Sequence, residues 1–320
     1  MKRPTTGRRR GTGRMLLVAV AAVAVISSAA AEAGGDEYGA DDRDDGHHGG
    51  YSQFGNWSTP VSAEIDSDPD LNTSSNDGCP IFSPDGLELY MASNRPGSAG
   101  LDIWVARRSH INQGWGKPER LPAPVNSDAD DFCPTLVPGR GLLFVSKRDE
   151  PNGDIYFIRK TSGGWGQPVR LGPNINSSAQ EWSPGFFVDE HRRPVLYFSS
   201  TRAGNQDIFR SVNWGPAEAV AELNTPFDDA RPNVRADGKE IVFDSTRPPT
   251  LGGPDVWSST RPSTRHRWSA PKPVEAVNSP APDTRASLSW DGSYMLVGSA
   301  RAGGEGAADI YVSHRRRGQK

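Results

Sequence analysis

From Trp57 onward the apolar residues fall into short runs separated by turn signals, with no long helical period. Leu87-Glu88-Leu89-Tyr90-Met91-Ala92-Ser93 alternates as a half-buried strand does. Cys79-Pro80-Ile81-Phe82 leads into it through Ser83-Pro84-Asp85-Gly86. In that turn Pro presets φ and Gly supplies the left-handed residue. After the loop Asn94–Gly100, Asp102-Ile103-Trp104-Val105-Ala106 reads as a third strand, rich in β-branched and aromatic residues. Trp115-Gly116-Lys117-Pro118 opens a fourth, and its Pro suits an edge because it cannot donate to a ladder.

This train of signals occurs five times. Each unit opens on an Asn followed five residues later by an acid: Asn72/Asp77, Asn126/Asp131, Asn176/Glu181, Asn224/Asp229 and Asn278/Asp283. Each then carries Ser-x-Arg, ending at Arg95, Arg148, Arg202, Arg247 and Arg301, and a strand opened by Asp102, Asp154, Asp207, Asp255 or Asp309. The Asn spacings of 54, 50, 48 and 54 residues are those of a propeller, solenoid or array. Unit five ends without its Trp-x-x-Pro strand, whereas Trp57-Ser58-Thr59-Pro60 stands spare before unit one. A split unit makes sense only if the array closes, which removes two exposed sheet edges. The pattern predicts an all-β, five-bladed β-propeller over residues 57–320, with four-stranded blades and Trp57–Pro60 joining the last blade.

The pattern Ser-Pro-Asp-Gly, apolar strand, Ser-x-Arg, Gly-containing loop and Asp-Ile-aromatic resembles the WD40-like β-propeller repeat family of the TolB type. The resemblance spans about Trp57 to Arg317. Departures occur at Pro138-Gly139-Arg140-Gly141, at Asp189-Glu190-His191 and at Ala286, where other units carry Pro; the TolB protein itself has six blades. The resemblance implies an envelope or exported bacterial protein whose propeller provides a binding surface. A fold does not by itself assign a function.

The N-terminus supports export. Six basic residues precede the apolar stretch Met15–Ile26, and Ala29-Ala30-Ala31 and Ala31-Glu32-Ala33 offer cleavage sites, so residues 1–33 read as a signal peptide. Left uncleaved, this segment would be the sole membrane attachment. Residues 34–56 form an acidic Gly/Asp/His-rich linker, expected to be disordered. The formal charge of −3 conceals +5 on the signal and −5 on the linker. Nothing in the remainder suggests nucleic-acid binding.

Strand order places the five acids, five arginines and five third-strand aspartates on one face, the channel mouth. Residues repeated in every blade serve the blade, so we read this ring as structural. Each Arg is expected to pair with the third-strand Asp of its own blade, because guanidinium and carboxylate match as bidentate partners. Function should sit where blades differ. Two residues after the acids the series runs Cys79, Cys133, Ser183, Arg231, Arg285. Adjacent Arg231 and Arg285 would repel unless an anion or carboxylate lay between them; an anionic ligand answers this, as would Asp228, Asp229 and Asp283. Glu181, the one Glu in its ring, and Trp182 complete the ligand-binding candidates, suited to a sugar or peptide. Cys79 and Cys133 are either a disulfide or two buried small residues.

There is no Gly-x-Ser-x-Gly, His-Glu-x-x-His or phosphate loop. No catalytic residue, metal or cofactor is assigned. We expect an exported, monomeric propeller that binds or scaffolds an envelope or extracellular protein. The competing expectation is a carbohydrate-active hydrolase or lyase using mouth carboxylates.

Overall fold

The computed structural model describes residues 54–318. The expected signal, and the linker as far as residue 53, lie outside them. The described chain is all-β, with five blades of antiparallel strands. Blade one comprises Asp77–Phe82, Glu88–Ser93, Asp102–Arg107 and Glu119–Arg120. Blade two comprises Asp131–Val137, Gly141–Ser146, Asp154–Thr161 and Val169–Arg170, with Gly164–Trp165 forming a small extra hairpin on its third strand. Blade three is Glu181–Val188, Pro194–Ser200, Asp207–Val212 and Glu218–Ala219. Blade four is Asp229–Val234, Glu240–Ser245, Asp255–Thr260 and Lys272–Pro273. Blade five is Asp283–Leu288, Tyr294–Ser299 and Asp309–His314, completed by Val61–Ser62 from the start of the described chain.

The ring thus closes as the repeat predicts, with a small shift. The ladder pairs are Val61 with Val312 and Ser62 with Tyr311, one residue beyond Trp57–Pro60. Ser58 still donates its N–H to the His314 carbonyl at 2.8 Å. In blades one, two and four the outer ladder likewise begins just after Trp-x-x-Pro, because Pro has no N–H to give it. Four of the five outer-strand Trp rings lie under a cation, and Trp214 stacks on Phe186. Arg108 lies 4.1 Å from the ring centroid of Trp115, Arg261 4.0 Å from Trp268 and Arg315 4.1 Å from Trp57.

The core lies between blades. Middle strands are apolar on both faces; Leu142, Leu143, Phe144 and Val145 are all fully buried. One cluster joins Leu143, Ile155 and Phe157 of blade two to Phe186, Leu196 and Phe198 of blade three, and each of the other four junctions has its own.

The repeated Asn stitches each junction. Asn126 accepts the Ile103 N–H on Oδ1 at 2.8 Å and donates Nδ2 to the Ile103 carbonyl at 2.9 Å. Its amide thereby mimics a partner strand, satisfying the third strand of the preceding blade. Asn176 does the same to Ile155, Asn224 to Ile208 and Asn278 to Val256. Asn72 does it to Ile310, fastening blade five to the linker that enters blade one.

Acidic residues gather at this closing seam. Glu64, two residues past the closing strand, is pushed up to about 7 by burial, then by the charge and hydrogen bond of Glu305, with Asp309 adding repulsion and the Asn72 N–H opposing. A carboxyl raised in the folded state binds its proton more tightly there than when unfolded. Its contribution to stability is complete below about pH 4.5 and is lost as pH rises through about 7. Thermal unfolding of the wild type and Glu64→Gln between pH 5 and 8 should therefore diverge, the wild type losing more Tm with rising pH. Parallel curves would contradict the shared-proton seam.

Candidate functional site

The mouth face is built on buried ion pairs, with partners different from those expected. Arg95 Nη2 donates to Asp77 Oδ1 at 2.6 Å, and Arg148 to Asp131 at 2.7 Å. Arg202 reaches Glu181 at 3.0 Å, Arg301 reaches Asp283 at 2.7 Å, and Arg247 binds Asp229. Each Arg therefore pairs with the first-strand acid, and the expected pairing with the third-strand Asp is corrected. The Ser two residues earlier explains this. Ser93 Oγ accepts Arg95 Nε at 3.0 Å, and Ser146, Ser200, Ser245 and Ser299 accept their own arginines. That contact turns the guanidinium inward, where it also caps the carbonyl before each Asn: Leu71, Val125, Ile175, Leu223 and Val277. The acid meanwhile accepts the N–H that follows the Asn, from Thr73, Ser127, Ser177, Thr225 or Ser279.

The third-strand aspartates face their own loops and outer strands. Asp102 binds Arg120 at 2.6 Å and Asp154 binds Arg170 at 2.5 Å. Asp255 accepts the Leu251 N–H and Asp309 the Glu305 N–H. Burial pushes Asp154, Asp207, Asp255 and Asp309 above the usual carboxylate range, and neighbouring acids push the same way.

Where the blades differ, a bulge sets the geometry. Every first strand shifts register two residues after its acid, at Cys79, Cys133, Ser183, Arg231 and Arg285. These five carry φ between 47° and 56°, a left-handed conformation uncommon outside Gly. The bulge re-aims them at the propeller axis. Four are followed by Pro, and together they line a partly open axial space of about 30 Å³. Cys79 and Cys133 are joined in a disulfide with Cα atoms 4.8 Å apart, linking blades one and two. The bulge brings equivalent strands of adjacent blades within bonding range. Ser183 Oγ lies 3.4 Å from Cys133 Sγ.

Arg231 and Arg285 meet a carboxylate that sequence reasoning missed. Asp244 Oδ2 takes Arg231 Nη1 at 2.9 Å, and Oδ1 takes the backbone N–H of Arg285 at 2.8 Å. Burial pushes Asp244 up to about 6, opposed by Arg231. A signal was available: the residue before the Ser of Ser-x-Arg runs Ala92, Val145, Ser199, Asp244, Gly298. Asp228, Asp229 and Asp283 do not bind these arginines; Asp229 and Asp283 are committed to Arg247 and Arg301.

The structure does not bring Glu181 and Trp182 to the axis with them. Glu181 is sealed under Ser177, Ser200 and Arg202. Trp182 packs edge-on against Phe132 at 5.4 Å and donates its indole N–H to the Asn152 carbonyl. Among the described residues no cluster of three His, Cys, Asp or Glu could hold a metal.

No protein-family model and no curated protein matches the chain. Solved structures do. A thermostable family-43 glycoside hydrolase is 12% identical, covering 78% of this chain and 92% of its own, with a TM-score of 0.55. The endo-arabinase from Bacteroides thetaiotaomicron VPI-5482 is 13% identical over 81% and 97%, with a TM-score of 0.53. TolB from Acinetobacter baumannii is 16% identical over 74% and 55%, with a TM-score of 0.43, too low to add weight. At these identities the likeness establishes the propeller fold alone.

Removing one partner of a buried, hydrogen-bonded pair leaves the other charge stranded. Arg247→Ala should lower stability by about 3–5 kcal/mol, roughly 10 °C in Tm. Arg247→Lys should recover little, since one ammonium cannot reach Ser245, Leu223 and Asp229 together. The exposed Arg107, paired with Glu88 and Glu119, should cost under about 1 kcal/mol on truncation. Thermal melts of the three variants check this; an Arg247→Ala loss as small as that of Arg107→Ala would contradict it.

Proposed function

We propose that this chain is an exported β-propeller of the TolB-type WD40-like kind, serving as a binding or scaffolding module for a protein of the cell envelope or extracellular space. The observation that carries this reading is the sealing of the repeat carboxylates. Asp77, Asp131, Glu181, Asp229 and Asp283 are all 0% exposed, each held by an Arg and a backbone N–H. Glycoside hydrolysis needs two carboxyls that reach the sugar, about 5–9.5 Å apart.

A rigid frame with variable surface loops suits binding. Two large apolar side chains stand out on the mouth-face loops around blade four: Phe227, 43% exposed, and Leu251, 61% exposed. Pro248 and Pro249 are exposed in the loop of Leu251, and Pro280 and Pro282 are exposed in the next inter-blade loop, which packs against Gly252 and Gly253. Apolar surface of this kind, rimmed by polar residues, favours a protein partner over a small polar one.

The test uses the full tagged chain as bait in envelope and culture fractions, followed by rebinding of the purified partner. Saturable binding, weakened at least tenfold by Phe227→Ser/Leu251→Ser at unchanged Tm, is the expected result. Turnover of an arabino- or xylo-oligosaccharide by the purified chain, abolished without loss of stability by removing one mouth carboxylate, would overturn the proposal in favour of a hydrolase.

A further inference from the structure

The axial ring contains one cation whose hydrogen bonding is unfinished. Arg231 pairs through Nη1 with Asp244, which spends its other oxygen on the backbone of Arg285. The Arg285 side chain leaves that carboxylate behind and runs toward blade one. Its Nη1 lies 3.1 Å from where a Cβ on Gly78 would stand, so Gly at 78 is what makes room. Its Nε is cut off from solvent with no acceptor. No carboxylate among the described residues pairs with its guanidinium; the charges acting on it are Arg231, which repels, and Asp244. The residue as a whole is only partly buried, but a donor sealed from solvent, as Nε is, is rarely left without a partner.

A second small space adjoins it, about 10 Å³, lined by Asn76, Gly78, Cys79, Ala92, Leu101 and Phe132 along with Arg285. It is apolar on most sides and bordered by the disulfide-bearing Cys79, with room for a single water or small ion. Sulfate or phosphate is too large for it. A second carboxylate side chain is absent from the adjacent positions of blades one and five, which carry Cys79, Ala92 and Gly298.

We propose that Arg285 holds a small monovalent inorganic anion of about the size of chloride, seated between Gly78, Asn76 and the Cys79–Cys133 bridge. The anion completes the charge set of Arg231, Asp244 and Arg285, which otherwise sums to one uncompensated positive charge. It also ties blade five to blade one at the junction where the ring closes. Burial and the Arg231 charge push Arg285 down to about 10, the direction expected of a cation lacking a counter-ion. This site is independent of the protein-binding surface proposed above.

The experiment compares the full chain in sodium gluconate, chloride and bromide at fixed ionic strength. Chloride and bromide should give a saturable rise in Tm of roughly 5 °C that gluconate does not. Arg285→Met should abolish the rise and, in gluconate, melt no lower than wild type, since it removes a cation that has no carboxylate partner and a sealed, unpartnered Nε. Wild-type crystals soaked in bromide should show anomalous density within hydrogen-bond distance of the Arg285 guanidinium. An Arg285→Met protein that keeps the chloride response, or wild-type crystals with water and no bromide at that position, would overturn the proposal.

Discussion

The structure depends on a side-chain amide standing in for a strand. A propeller blade is a small sheet with one face to each neighbour, and by itself is marginal. Apolar packing between blades is non-directional and would tolerate sliding. The repeated Asn removes that freedom, because its carboxamide pairs with both the N–H and the carbonyl of one residue in the preceding blade. Asn126 on Ile103 sets the register of blade two against blade one, and Asn72 on Ile310 does the same across the seam. The acid five residues on, with its Ser-held Arg, freezes the linker in which the Asn sits. Asn, acid and Arg therefore form one device, repeated at every junction.

Inside this fivefold frame the axis is not symmetric. The bulge presents one side chain per blade, and neighbouring blades solve the crowding differently. Blades one and two use a covalent bridge, blade three a hydroxyl against sulfur, and blades four and five a carboxylate drawn from a middle strand. The first solution is apolar and the last is charged. That gradient across a few ångströms leaves Arg285 facing the disulfide side with no acidic partner.

Much of this was legible from residue order. The alternation in Leu87–Ser93, the recurrence of Asn, acid and Ser-x-Arg, and the spare Trp57-x-x-Pro60 fixed the blade count and the closure. What escaped was which recurrent residues touch. Both Asp77 and Asp102 lie at the mouth near Arg95, and spacing cannot choose between them. The choice is made by the Ser93 hydroxyl on Nε, a contact of side-chain geometry. Asp244 escaped for a different cause: it belongs to a position that is small or apolar elsewhere, and its meaning appears only once a bulge brings Arg231 and Arg285 beside it. The closing ladder began one residue after Trp57–Pro60 because Pro60 has no N–H to contribute, although Ser58 already bonds to His314.

The most direct test of the Asn device is native-state hydrogen exchange at the five amides it holds: Ile103, Ile155, Ile208, Val256 and Ile310. If Asn stitches the junctions, these amides exchange only through global unfolding, with one shared free energy that falls together in denaturant. Exchange at any of them by local opening, at the rates of outer-strand amides such as Arg120, would show that the blades are held by packing alone.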